Sequence, residues 1–318
     1  MKQILLLSAC LLTSIAFGQQ VSLNSQYMFN EISFNPGAAG SRDYVSIHLN
    51  GRRQWAGFEG APTTQSLTSH GNIGKNFGLG GSVYNDVTGP SRRTGVSIMG
   101  AYQLKLSANG DHRLGMGLGV SFTQHFMDVD RLQTYLPEDP ALANGFNNTF
   151  VPDANVGFYY TFKDKGFAGI SGRNLVESNR DLLNFEETVV NPMVRNYYVY
   201  GGYNFTLPKK WNLKPVAMFR MIDALAYQFD VSVIASYNNL LWFGGSYRFE
   251  DAAVAMAGVQ FSVFKLGYSY DFTLSDIKNY SAGSHELFLE LQIFKKKGGS
   301  NGTKVPWLKR NRIYSPSI

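Results

Sequence analysis

The sequence predicts an all-β fold: a transmembrane antiparallel β-barrel of the outer-membrane kind with about 14 strands. Three observations carry that expectation. Apolar and polar residues alternate with period two to the end of the chain, no apolar run is long enough for a membrane helix, and connections tend to alternate between long and short. The alternation is plainest near the C-terminus, where Phe264, Leu266, Tyr268, Tyr270 and Phe272 alternate with Lys265, Gly267, Ser269 and Asp271. About ten residues on, His285, Leu287, Leu289, Leu291 and Ile293 alternate with Glu286, Phe288, Glu290 and Gln292. Such a hairpin has one face suited to lipid and one suited to water. The totals agree: 318 residues with 33 glycines, 18 tyrosines and 23 phenylalanines but only 16% charged residues suit strands with small interior residues and aromatic girdles.

In chain order, Lys2 precedes an apolar run from Ile4 to Phe17 that ends in Ala16, Phe17 and Gly18, which reads as a secretory signal peptide over 1–18. The single cysteine, Cys10, lies within it; Leu7 to Cys10 also spells a lipoprotein-like box, but the run before it is short for lipidation. A mature chain without cysteine fits export without a disulfide framework. Residues 19–43 are expected as a periplasmic N-terminal segment, with one short helical turn from Ser25 to Glu31 broken by Asn35, Pro36 and Gly37.

The barrel is expected over 44–294. Its strands are placed near 44–53, 64–71, 77–86, 92–104, 112–127, 152–162, 166–174, 194–205, 211–222, 228–237, 240–249, 252–263, 264–272 and 284–293. The two longest connections, 128–151 and 175–193, are both odd-numbered, as is 273–283, whereas the even ones are short. With both termini periplasmic, odd connections face outward, where barrels carry their long loops. Strand parity then directs His48, Asn50, Arg52, Lys214, Arg220 and Arg248 inward, where Glu286, Glu290 and Asp271 would compensate the cations. Residues 295–318 form a basic tail, expected in the periplasm, in which Val305, Pro306, Trp307, Ile313 and Tyr314 offer docking anchors. Its seven cations exceed the net charge of +6, leaving −1 on the rest of the chain. A near-neutral body offers no groove that tracks phosphates, so nucleic acid is not an expected partner.

No pattern points to catalysis or to a cofactor. The five histidines lack metal-ligand spacing, and His285 and Glu286 fall on opposite faces of one strand. Gly115, Gly117 and Gly119 alternate with apolar residues inside a strand; they are the small face of a barrel strand rather than a dinucleotide loop. Asp128, Asp130, Glu138 and Asp139 are solvated loop acids or a cation site, and a hydrolase pairing a serine and a histidine near the outer rim would have His125 as its only tempting candidate.

Two stretches carry more than barrel grammar. Gln26-Tyr27-Met28, Asn35-Pro36 with Ala39-Gly40-Ser41, and Arg52 with Gln54-Trp55, Gly57 and Gly60-Ala61-Pro62-Thr63 resemble the signature of the PorP/SprF family of Bacteroidetes outer-membrane proteins. Tyr270-Asp271-Phe272, Ser275 and Gly283-Ser284-His285-Glu286 match that family's ending. The chain departs from it at Ala38, where a tyrosine is usual, and in its basic tail. The resemblance implies a barrel of the type IX secretion and gliding motility machinery that assists export and cell-surface attachment of a secreted partner such as an adhesin. The alternative is a porin-like channel for small solutes.

For partner binding the expected residues are Arg52, Gln54, Trp55, Gly57, Gly60, Ala61, Pro62 and Thr63, together with the fifth and seventh connections. Gln26, Tyr27, Asn35, Pro36, Gly40, Ser284, His285 and Glu286 are expected as structural motif residues. Outer-membrane lipid and a secreted surface protein are the expected partners, with a periplasmic lipoprotein or peptidoglycan-linked component for the tail.

Overall fold

The computed structural model describes residues 24–128, 148–163, 165–176, 194–222 and 226–293. The expected signal peptide with Cys10, most of the fifth and seventh connections, with Asp130, Glu138 and Asp139, and the basic tail lie outside the described residues.

The first strands are β1 (Val45–Arg53), β2 (Thr63–Asn72), β3 (Phe77–Thr88), β4 (Ser91–Lys105) and β5 (His112–Met127). There follow β6 (Asn148–Phe162), β7 (Gly166–Arg173), β8 (Asn196–Tyr203), β9 (Phe205–Thr206) and β10 (Trp211–Ile222). The last are β11 (Ala226–Tyr237), β12 (Leu241–Arg248), β13 (Ala252–Phe261), β14 (Phe264–Thr273) and β15 (Ser284–Ile293). Neighbours around the ring pair antiparallel, and β1 closes it on β15, with Val45 opposite Ile293 and Arg53 opposite His285. Closure removes the exposed edges that an open sheet would present.

β8 and β9 are one strand. Both pair with β10 in a single register, Gly202 opposite Val216 and Phe205 opposite Leu213. The ladder breaks at Asn204, beside Pro215, which has no amide hydrogen to donate. The barrel therefore has fourteen spanning strands, the expected even number.

Period two sorts the faces as expected. On β1, Ser46, His48, Asn50 and Arg52 are buried inside while Leu49 is exposed on the outer wall. On β5, Leu118, Val120 and Phe122 point out while Ser121 and Thr123 are buried. An apolar outside around a polar inside suits a lipid surround. Aromatic pairs collect at the rim of short connections: Phe77 with Tyr102, Trp211 with Tyr237, and Phe261 with Phe264.

The N-terminal segment differs from its expected placement. Residues 24–43 do not extend into the periplasm; they fold into the barrel interior, where every residue from Ser25 to Gly40 except Ser33 is buried. Gln26 is 1% exposed and Asn35 0%. The helical turn expected at Ser25 to Glu31 appears as two short 3-10 turns, Tyr27–Phe29 and Glu31–Ser33. A third, Pro36–Ala38, forms where a break was expected, because the Asn35 side chain accepts the Gly37 amide and Pro36 supplies a preset φ. A polar wall set with glycines can hold an irregular segment whose backbone groups find partners in the wall.

Candidate functional site

The interior segment is a plug, and its first residues are held by charge. The amides of Ser25 and Gln26 donate to the two Glu286 carboxylate oxygens at 2.7 and 3.1 Å. Arg52 donates from Nη1 to Glu286 at 3.1 Å and from Nη2 to Asp271 at 2.7 Å, and the Ser25 hydroxyl donates to the same Asp271 oxygen at 2.7 Å. Glu286 thus satisfies two amides that have no carbonyl partner at the start of the first turn. Arg52, Asp271 and Glu286 are each at most 3% exposed, so these charge-assisted bonds work without competing water.

A second tie lies one turn on. The Tyr27 hydroxyl donates to Asp230 Oδ1 at 3.1 Å, and Ser246 and Ser232 donate to the same oxygen at 2.7 and 3.0 Å. Burial, with the Asp230 charge beside it, pushes the Tyr27 phenol well above its ordinary pKa, so it stays a donor. At the other end of the plug Arg42 reaches Glu290 at 2.6 Å, Glu31 at 2.7 Å and the Phe29 carbonyl at 2.9 Å. Burial disfavours the Arg42 charge, but Tyr44, Glu31 and Glu290 outweigh it and hold the guanidinium well above its usual range. Between these ties Phe29 packs 4.7 Å from Trp242 and 5.3 Å from Phe288, and Phe34 lies 4.9 Å from Tyr200.

The opposite side of the plug rests on glycine. A Cβ at Gly117 would overlap the Pro36 carbonyl, one at Gly115 the Gly37 carbonyl oxygen, and one at Gly78 the Ala39 carbonyl. Only a bare strand face lets the plug backbone come this close. Polar side chains complete the seat: Gln103 donates to the carbonyls of Ala39 and Gly37 at 2.7 and 3.1 Å, and Asn35 donates to the Phe158 carbonyl at 2.9 Å.

Above the charged end sits the 54–62 connection. Trp55, at φ 51°, donates its amide to the Ser284 hydroxyl at 3.0 Å. Ala56 exchanges backbone bonds with Gly283 and Ala282, each at 2.7 Å. On the other flank the Gly89 amide donates to the Gly60 carbonyl at 2.9 Å. Gly57 and Gly60 have φ of 91° and 71°, where a side chain would be strained. The connection is a brace across three hairpin ends, with Phe58 turned outward at 45% exposure.

The expected residues fall into two groups. Gln54, Trp55, Gly57, Gly60, Ala61, Pro62 and Thr63 stand together on this rim. Arg52 does not join them: its side chain is buried and belongs to the plug's ties, because strand parity turns it inward. Gln26, Tyr27, Asn35, Pro36 and Gly40 are all plug residues. Ser284 serves the brace and Glu286 the plug, while His285 points outward with Nδ1 2.7 Å from the Tyr268 hydroxyl.

The expected charge compensation is present in Arg52 and Arg248, which pair with Asp271 at 2.7 and 3.6 Å. Sequence reasoning missed Arg42 and Asp230, the first because it lies outside any strand pattern. Parity would have placed Asp230, buried opposite Arg248, on the interior face. His125 lies opposite Arg93 on β4, and its Nε2 has no hydrogen-bond partner among the described residues. Among those residues no group of three potential metal ligands assembles.

No curated protein matches the chain. Solved structures that it resembles include the outer membrane protein Omp33 of Acinetobacter baumannii, at 8% identity and TM-score 0.45 over 78% of this chain and 97% of that one. A FadL homologue of Pseudomonas aeruginosa aligns at 12% identity and TM-score 0.47 over 86% of this chain and 94% of that one. The family model for the type IX secretion system membrane protein PorP/SprF matches residues 16–291, which includes every plug and brace residue described above. The chain belongs to the PorP/SprF family of type IX secretion system membrane proteins.

Proposed function

We propose that this barrel is a non-catalytic outer-membrane anchor that assists export of a secreted surface protein, such as an adhesin, and keeps it on the cell exterior. The observation that carries this reading is the filled lumen. A segment tied by Glu286, Asp271, Asp230 and Glu290 and seated on glycines occupies the space that solute flux would need. That weighs against the porin-like alternative and leaves the rims as the surfaces through which the barrel meets proteins.

The rim of the odd-numbered connections is the contact surface in this reading, with Gln54 and Trp55 through Thr63 at its described part. The brace holds that surface to β3 and β15 through Gly89 and Ser284, so a partner meets a preformed shape rather than ordering one. The test is a mild-detergent pull-down from native outer membranes, for the wild type and Trp55→Ala. A large secreted protein recovered with the wild type and reduced with a folded Trp55→Ala barrel supports the reading. Recovery of the barrel alone, or with generic porins, would turn the account toward transport.

A further inference from the structure

The plug leaves a cleft beneath it at the rim of short connections. Its cavity volume is about 80 Å³, and it is lined by plug residues, by the ends of the neighbouring strands and by the exposed Lys165 of the 163–165 connection. Arg42, Lys165, Lys214 and Lys265 bring four cationic groups to it, against the two carboxylates of Glu31 and Glu290. Both of these acids already bind Arg42, at 2.7 and 2.6 Å. Among the described lining residues cations outnumber acids by two, in a wall that also includes Phe29 and Phe167. Lys214 lies 4.7 Å from the Phe167 ring and Lys265 lies 3.6 Å from the Phe29 ring, so the cations sit at the junction of apolar and polar lining.

A second, independent feature points to a ligand. Asn204 lines the same cleft, is 2% exposed, and neither its Nδ2 nor its Oδ1 has a hydrogen-bond partner among the described residues. Its position follows from the ladder break at Pro215: in the register shared by β8 and β9 it stands across from Lys214. A buried amide with neither donor nor acceptor satisfied is costly, on the order of 1–3 kcal/mol for each group left unpaired. A ligand oxyanion would accept from it while lying among the ammonium groups.

We propose that this cleft is an anion site that takes the carboxylate of an acidic, aromatic-containing peptide presented at the short-connection rim. Asn204 Nδ2 and the ammonium groups of Lys214 and Lys265 hold the carboxylate, and Phe29 and Phe167 take the apolar stem. Because Arg42 and Glu31 belong to the plug, the occupant touches the plug as well as the barrel wall.

The test is isothermal titration of the full-length protein in nonionic detergent with a short acetylated peptide alternating phenylalanine and aspartate. The control peptide carries asparagine in place of aspartate. Saturable binding of the acidic peptide alone is expected, weakened about tenfold by Lys214→Met, the worth of one charge-assisted hydrogen bond. Asn204→Leu, which removes no charge, should weaken it as well, and heat-modified gel mobility would confirm that each barrel is folded. Equal binding of both peptides, no saturable binding, or affinity unchanged in both folded variants would overturn the proposal; the last would place the peptide on another basic part of the chain.

Discussion

The two sides of the plug are held by opposite means. Toward β1, β14 and β15 it is fixed by carboxylates and guanidinium groups buried at 3% exposure or less. Toward β3, β5 and β6 it is fixed by the absence of side chains, with its backbone laid against Gly78, Gly115 and Gly117 and the side chains of Asn35 and Pro36 against Gly157. The first side depends on partners that cannot be left alone in a low dielectric, so its loss should be abrupt. The second depends on space, so its loss should grow with the volume introduced.

The largest effect is expected on the charged side. Glu286→Ala leaves Arg52 and the amides of Ser25 and Gln26 short of their acceptor, and breaking a buried pair in this way costs about 3–5 kcal/mol. Hydrogen exchange should show protection lost across the plug's first turns while the strand amides keep theirs. Equal protection in the variant would mean that the glycine side alone holds the plug. Gly117→Val comes next, at about 1–3 kcal/mol of overpacking against Pro36 and Gly37, read as a lower midpoint of thermal unfolding. The smallest effect has the opposite sign. Gly51 lies on β1 with nothing within 4 Å of an added Cβ, so Gly51→Ala should leave the midpoint unchanged or raise stability by about 0.4–1 kcal/mol. If the two glycine substitutions behaved alike, close approach to the plug would not be what Gly117 is for.

The same two sides differ in how far the sequence revealed them. Parity alone sent Arg52, Arg248, Asp271 and Glu286 inward and required that their charges be compensated. It did not show who meets whom, because Arg52 and Asp271 are 219 residues apart and become neighbours only when the ring closes through β1 and β15. The glycine alternation at Gly115, Gly117 and Gly119 was legible as the small face of a strand. What that face received was not, since residues 24–43 carry neither helical nor strand period and fold as short 3-10 turns around Asn35 and Pro36. The family resemblance selected Gln26, Tyr27, Ser284 and Glu286 without saying that they touch. The interior places Glu286 on the amides of Ser25 and Gln26, and the rim places Ser284 on Trp55. Contiguity in the motif groups Arg52 with the partner-binding residues of the rim, whereas parity turns it inward. One residue of strand parity separates it from Arg53, which is exposed, and puts it with the plug instead.

Closure of the barrel by its own N-terminal segment is tested most directly by planar-bilayer recording of the purified protein. The wild type should show no sustained conductance, while Glu286→Ala should open in discrete steps as the charged side of the plug lets go. A steady conductance through the wild type, as large as that of the variant, would contradict the plug and return the barrel to the channels.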